Sequence, residues 1–136
     1  MLKRFGVSLE KDLLDKFDNL LNAQGYVNRS EAIRDLIRDA LVKKEWLVED
    51  IDTAGVVVIV YNHEQHELAK KMTDTQHSNY GKIISSLHVH LDKHNCLEVI
   101  LLKGKAREIR RLADSLISTR GVKYGQFIGA TTGKNI

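Results

Sequence analysis

The residues best suited to chemistry crowd one stretch. All six histidines (His63, His66, His77, His88, His90, His94) and the single cysteine, Cys96, fall between positions 63 and 96 of a 136-residue chain. Within it, Leu87-His88-Val89-His90-Leu91 alternates, so an extended strand puts both imidazoles on one face and the three aliphatics on the other. A hairpin loop over residues 91–95 then sets His90 opposite Cys96 and His88 opposite Glu98. In that register His88, His90, Cys96 and Glu98 share one face. Leu87, Val89, Leu97, Val99 and Leu101 share the other, the expected core face. A loop one residue shorter would put Cys96 opposite Leu91 and destroy the agreement.

Two neutral imidazoles and a thiolate suit Zn(II), Cu(II) or Ni(II), whereas magnesium and calcium prefer oxygen. Affinity alone ranks copper first, so geometry must choose: a tetrahedral fourth ligand favours zinc, a planar one nickel or copper. That fourth ligand is open from spacing. His77 lies near the end of the preceding helical segment. His94, in the hairpin turn, follows its neighbours too closely to complete a planar set easily.

The elements that must position these groups follow from periodicity. Residues 1–10 alternate, with Phe5, Val7 and Leu9 on one side and Arg4, Gly6 and Ser8 on the other, which predicts a strand. Leu9, Leu13, Leu14, Phe17, Leu20 and Leu21 then form a helical stripe that Gly25 ends. Asn28 and Glu31 are spaced as a capping box opening a second helix, whose buried face is Ile33, Leu36, Ile37, Ala40 and Leu41. One strand and two helices cannot bury their own apolar surface, so a second copy is expected to pair with it. The result is a two-stranded ribbon over four helices, with a width that fits the DNA major groove.

Beyond a charged linker, Lys43 to Asp52, the pattern changes. A β-branched run at 56–61, a helix over 63–77, strands at 83–91 and 97–102, a helix from 106 to 117 and a strand over 122–130 give β-α-β-β-α-β. This is the ferredoxin-like order.

Composition agrees with such a chain. With 43% hydrophobic and 29% charged residues it is neither a disordered tail nor a membrane span. Its longest near-apolar stretch, Ala54 to Tyr61, is far short of the ~20 residues a spanning helix needs. An N-terminus without an apolar core and a lone cysteine lead us to expect a cytoplasmic, reducing location. The net charge is only +3, divided as −1 over residues 1–50 and +4 over 51–136. DNA binding must therefore rest on a few placed groups, summed in an oligomer.

Two other readings compete. Two histidines and a cysteine can leave a coordination position open for water, as in a zinc enzyme. Apart from Glu98, however, no acid or base stands at a recognisable spacing. An antitoxin would carry a short or disordered tail, whereas residues 54–136 read as a complete domain.

The chain resembles the nickel-responsive repressors: a ribbon-helix-helix head over residues 1–48, then a ferredoxin-like, ACT-type metal-binding and tetramerisation domain over 53–136. The likeness rests on Asn28-Arg29-Ser30-Glu31-Ala32-Ile33-Arg34, Thr75-Gln76-His77, Leu87-His88-Val89-His90, Cys96-Leu97-Glu98, Leu102-Lys103-Gly104 and Arg120-Gly121-Val122. It implies an α+β, non-enzymatic transcription factor that binds an operator when loaded with Ni(II), one ion per subunit. The expected planar ligands are His88, His90 and Cys96 of one subunit and His77 of another, within a homotetramer. Glu98 would fix an imidazole. Arg4 would meet a guanine, Ser8 would support it with a base or phosphate contact, and Asn28, Arg29 and Ser30 would meet the phosphate backbone. The family's weaker cation site falls on Glu31 and Asp35, although Arg34 and Arg38 beside them fit an ordinary solvated face. No membrane and no small organic substrate are implied. Gly6 and Gln65-His66 stand where relatives often carry polar or basic residues.

Overall fold

The computed structural model describes all 136 residues, which form two compact units, Met1–Ala40 and Leu41–Ile136.

In the first unit, α1 (Lys11–Ala23) ends where expected. Gly25 takes φ 78°, and the N–H groups of Gly25 and Tyr26 donate to the carbonyls of Asn22 and Leu21. These two bonds satisfy carbonyls the helix end would otherwise leave unpaired. Helix α2 (Arg29–Glu45) opens on Asn28, whose Oδ1 accepts the Glu31 N–H at 2.9 Å. The reciprocal bond of a capping box is not made, because Glu31 pairs with Arg34 instead. Residues 1–10 form no strand. A lone extended segment has no ladder to join, and here Phe5 and Val7 are about two-thirds exposed (70% and 65%). Leu13, Leu20, Leu36 and Ile37 are exposed as well, so this unit leaves its apolar stripe uncovered.

The second unit is an antiparallel sheet with two helices. Its elements are β1 (Asp52–Asn62), α3 (His66–Ser78), β2 (Ile83–His90), β3 (Asn95–Lys105), α4 (Ala106–Ile117) and β4 (Val122–Gly129). The spatial order is β2-β3-β1-β4, the ferredoxin-like arrangement. The core lies under the helices: Val57, Ile59, Ile100 and Leu102 from the sheet meet Leu68 and Met72 of α3 and Ile109, Leu112 and Leu116 of α4.

Two expectations need correction. Residues 63–65 precede α3 rather than belong to it. Asn62 Oδ1 accepts the Glu64 N–H, and the Gln65 N–H reaches the Asn62 carbonyl, so a side-chain-stabilised turn delays the helix. The larger correction concerns which face is core. The helix-covered face holds Thr53, Val57, Ile59, Tyr61, Cys96, Glu98, Ile100 and Leu102. Leu87, Val89 and Leu101 lie on the open face and are exposed. Both faces of this sheet are apolar, so alternation alone separates them without saying which one the helices cover.

Candidate metal centre

The hairpin register is the one the alternation required: His90 pairs with Cys96, His88 with Glu98, Leu87 with Val99 and Val89 with Leu97. Asp92 builds the turn between the strands. Its carboxylate accepts the backbone N–H groups of His94 and Asn95 and the Asn95 side-chain amide. Those three bonds favour the charged form and hold its carboxyl down to about 2. A rigid turn fixes the strand offset, and the offset puts the donors side by side.

The two imidazole rings stand 5.3 Å apart, and the His88 ring meets Tyr61 edge-on at 6.1 Å. Cys96 is fully buried, and its thiol donates to the Tyr61 carbonyl at 3.4 Å. Burial raises the thiol pKa, and the nearby Glu98 charge adds to the rise. Glu98 is itself buried. Gln76 Nε2 donates to its Oε2 at 3.1 Å, while its Oε1 lies 3.9 Å from His88 Nδ1, too far for a hydrogen bond.

His77, one residue beyond Gln76, is exposed. Within one chain no three of the histidine, cysteine, aspartate and glutamate side chains converge closely enough to hold an ion. The register nevertheless puts a thiol and two imidazoles on one face, and donors of those types suit a divalent transition ion and not a hard oxygen-seeking one. His94 is engaged elsewhere, with its Nδ1 2.8 Å from Glu64 Oε2. His63, to which the sequence assigned no role, stacks on His90 with ring centroids 4.4 Å apart. Its place at the end of β1 opposite the hairpin turn was the only available signal.

The candidate DNA residues are all in the first unit. Arg4, Ser8 and Ser30 are exposed, and Asn28 caps α2. Arg29 makes a two-pronged pair with Asp18, both bonds 2.8 Å, which lowers the Asp18 pKa. Of the candidate cation ligands, Glu31 is bound by Arg34. Asp35 accepts the Tyr26 hydroxyl at 2.7 Å and faces Arg38 at 3.3 Å.

Residues 54–129 match the NikR C-terminal nickel binding domain, and residues 3–44 match the CopG-type ribbon-helix-helix proteins. The chain belongs to the nickel-responsive regulator family. Relatives bearing that name include one from Caldanaerobacter subterraneus, 55% identical over 98% of this chain and 86% of its own length. Those from Pyrococcus furiosus and Geobacter sulfurreducens are each 53% identical over 98% of this chain and 96% of theirs. An uncharacterized protein of Thermotoga maritima shares the fold alone, with a TM-score of 0.53 at 13% identity over 60% of this chain and all of the other. As a nickel-responsive regulator the chain has a ribbon-helix-helix head and a nickel-binding α+β domain. No helix is long and apolar enough to cross a membrane.

Proposed function

We propose that this nickel-responsive regulator is a cytoplasmic repressor that binds operator DNA when loaded with Ni(II), and that it controls nickel uptake. The observation that carries this is the hairpin: its register puts two imidazoles and a thiol on one face, while the remaining candidate, His77, stands exposed on a different element. His88, His90 and Cys96 of one subunit and His77 of a neighbour would hold one ion per subunit. When bound, Ni(II) would supply a link between the subunits that contribute these donors. Gln76 holds Glu98, and Glu98 in turn lies 3.9 Å from His88 Nδ1, so closing that gap when the ion binds would fix the ring's tautomer.

Two uncovered apolar surfaces support a homotetramer built as a dimer of dimers. In the second unit the open sheet face presents Leu87, Val89, Leu101, Tyr124 and Ile128 to solvent, a patch of the kind that marks an interface. In the first, Phe5, Val7 and Leu9 are exposed on a segment with free backbone groups, suited to pairing with the same segment of a second copy. Such a ribbon carries Arg4 and Ser8 outward toward base edges. The free amides at the start of α2, with Ser30 beside them, suit a phosphate. Arg29 can leave its solvent-exposed partner Asp18 for the same phosphate.

The test is a titration of operator DNA with and without nickel at fixed salt, alongside the absorption spectrum. A planar, thiolate-to-nickel charge-transfer band and tighter DNA binding with nickel are expected. An operator affinity indifferent to nickel would end this reading, and a silent tetrahedral complex would move the assignment to zinc.

A further inference from the structure

The segment after α2 was expected to be a charged linker. Instead it belongs to the second unit and is strapped to the rest of it. The Trp46 indole N–H donates to the Ala130 carbonyl at 2.9 Å, and the indole meets the Phe127 ring edge-on at 5.4 Å. Arg110 lies 5.4 Å over the indole, a cation–π contact. The slot exists because residue 129 is glycine: a methyl there would sit 2.5 Å from Trp46 Cε2. Beyond the indole, the Ala106 and Arg107 N–H groups donate to the Ile51 and Glu49 carbonyls, and the Arg107 side chain faces Glu49 and Asp50.

One feature opposes the strap. Glu45, immediately before Trp46, is buried, and its Oε2 has no hydrogen-bond partner. A buried carboxylate oxygen left unpaired is a standing penalty that release to water would remove. Fastening contacts set against an unpaired buried oxygen are the opposing contributions that an element switching between two positions would need to couple two sites. The strap packs on β4, and β4 pairs with the strand that reaches the metal hairpin. Phe127 pairs with Val57 and covers Gly55 on β1, and the far end of β1 pairs Tyr61 with Cys96.

We propose that the Trp46 strap is a latch coupling nickel loading to DNA binding, a role that rests on the function proposed above. Its closed form fixes the end of α2 to the metal-binding domain. Its open form leaves nickel capture intact and disconnects it from the head.

The test uses the full-length protein, duplexes selected from a random-sequence pool by the nickel-loaded wild type, and three readouts: nickel titration by charge-transfer absorption, DNA affinity with and without nickel, and acrylamide quenching of Trp46, the only tryptophan. Trp46→Ala opens the latch from one side and Gly129→Ala from the other. Both are expected to keep nickel affinity within about twofold and to lose ~10-fold of the nickel-induced gain in DNA affinity, within the usual range of coupling. Gly129→Ala should also make Trp46 more quenchable. If Trp46→Ala fails to fold, seen as loss of the nickel band, Gly129→Ala decides alone. Opened, nickel-binding variants with the full wild-type gain would overturn the latch and leave the proposed function standing. A wild type without nickel-dependent DNA binding would overturn both.

Discussion

Glu98 stands between two partners. Gln76 holds one carboxylate oxygen, and the other lies near His88 without a hydrogen bond. A residue that acts by orienting a ligand should leave the site formed but weaker when neutralised. Glu98→Gln is expected to keep the nickel band and lower nickel affinity about tenfold in a chelator competition, the lower end of what such supporting partners contribute. Asp18 makes a different prediction. Its folded-state pKa lies below the ordinary 3.8 because of Arg29, so the pair stabilises the head above that pH, and the stabilisation is lost as pH falls through the lowered value. Asp18→Asn should lower the melting temperature slightly at pH 7, by an amount that shrinks as pH falls below 3.8. At this scale the shared face of His88, His90 and Cys96 was legible. Engagement of Asp18 with Arg29 was not, because a pair eleven residues apart depends on how two helices meet.

Among the elements, the hairpin and α4 were the most legible, since strict alternation and an i, i+3, i+4, i+7 stripe each leave one register that satisfies the pattern. The sheet faces were misjudged for the same reason: a strand apolar on both sides has no solvent face to read. Helix α3 was set to begin three residues early, because the Asn62 turn has no periodicity. It is also a marginal helix. It lacks a side-chain N-cap bond, and the Thr73, Thr75 and Ser78 hydroxyls all bond back to carbonyls four residues earlier. The open sheet face yields the prediction for this scale. Leu87 is 61% exposed in the single chain, so Leu87→Asp should leave the protomer folded. A charge on the proposed interface should nevertheless prevent assembly beyond the head-paired dimer, as read by sedimentation.

The whole molecule is where one sequence says least about itself, because in the proposed assembly what completes it is another copy. In the proposed assembly the strand expected over residues 1–10 would take a partner strand, and His77 a hairpin other than its own; neither pairing leaves a spacing within one chain. Mixing subunits tests this most directly. His77→Ala retains the hairpin donors and lacks the remote imidazole, whereas Cys96→Ser retains His77 and lacks the thiol. Each alone should show no planar nickel band. Refolded together they should regain it, at the sites that join a His77→Ala hairpin to a Cys96→Ser helix. A wild-type band from His77→Ala alone, or none from the mixture, would contradict a centre shared between chains.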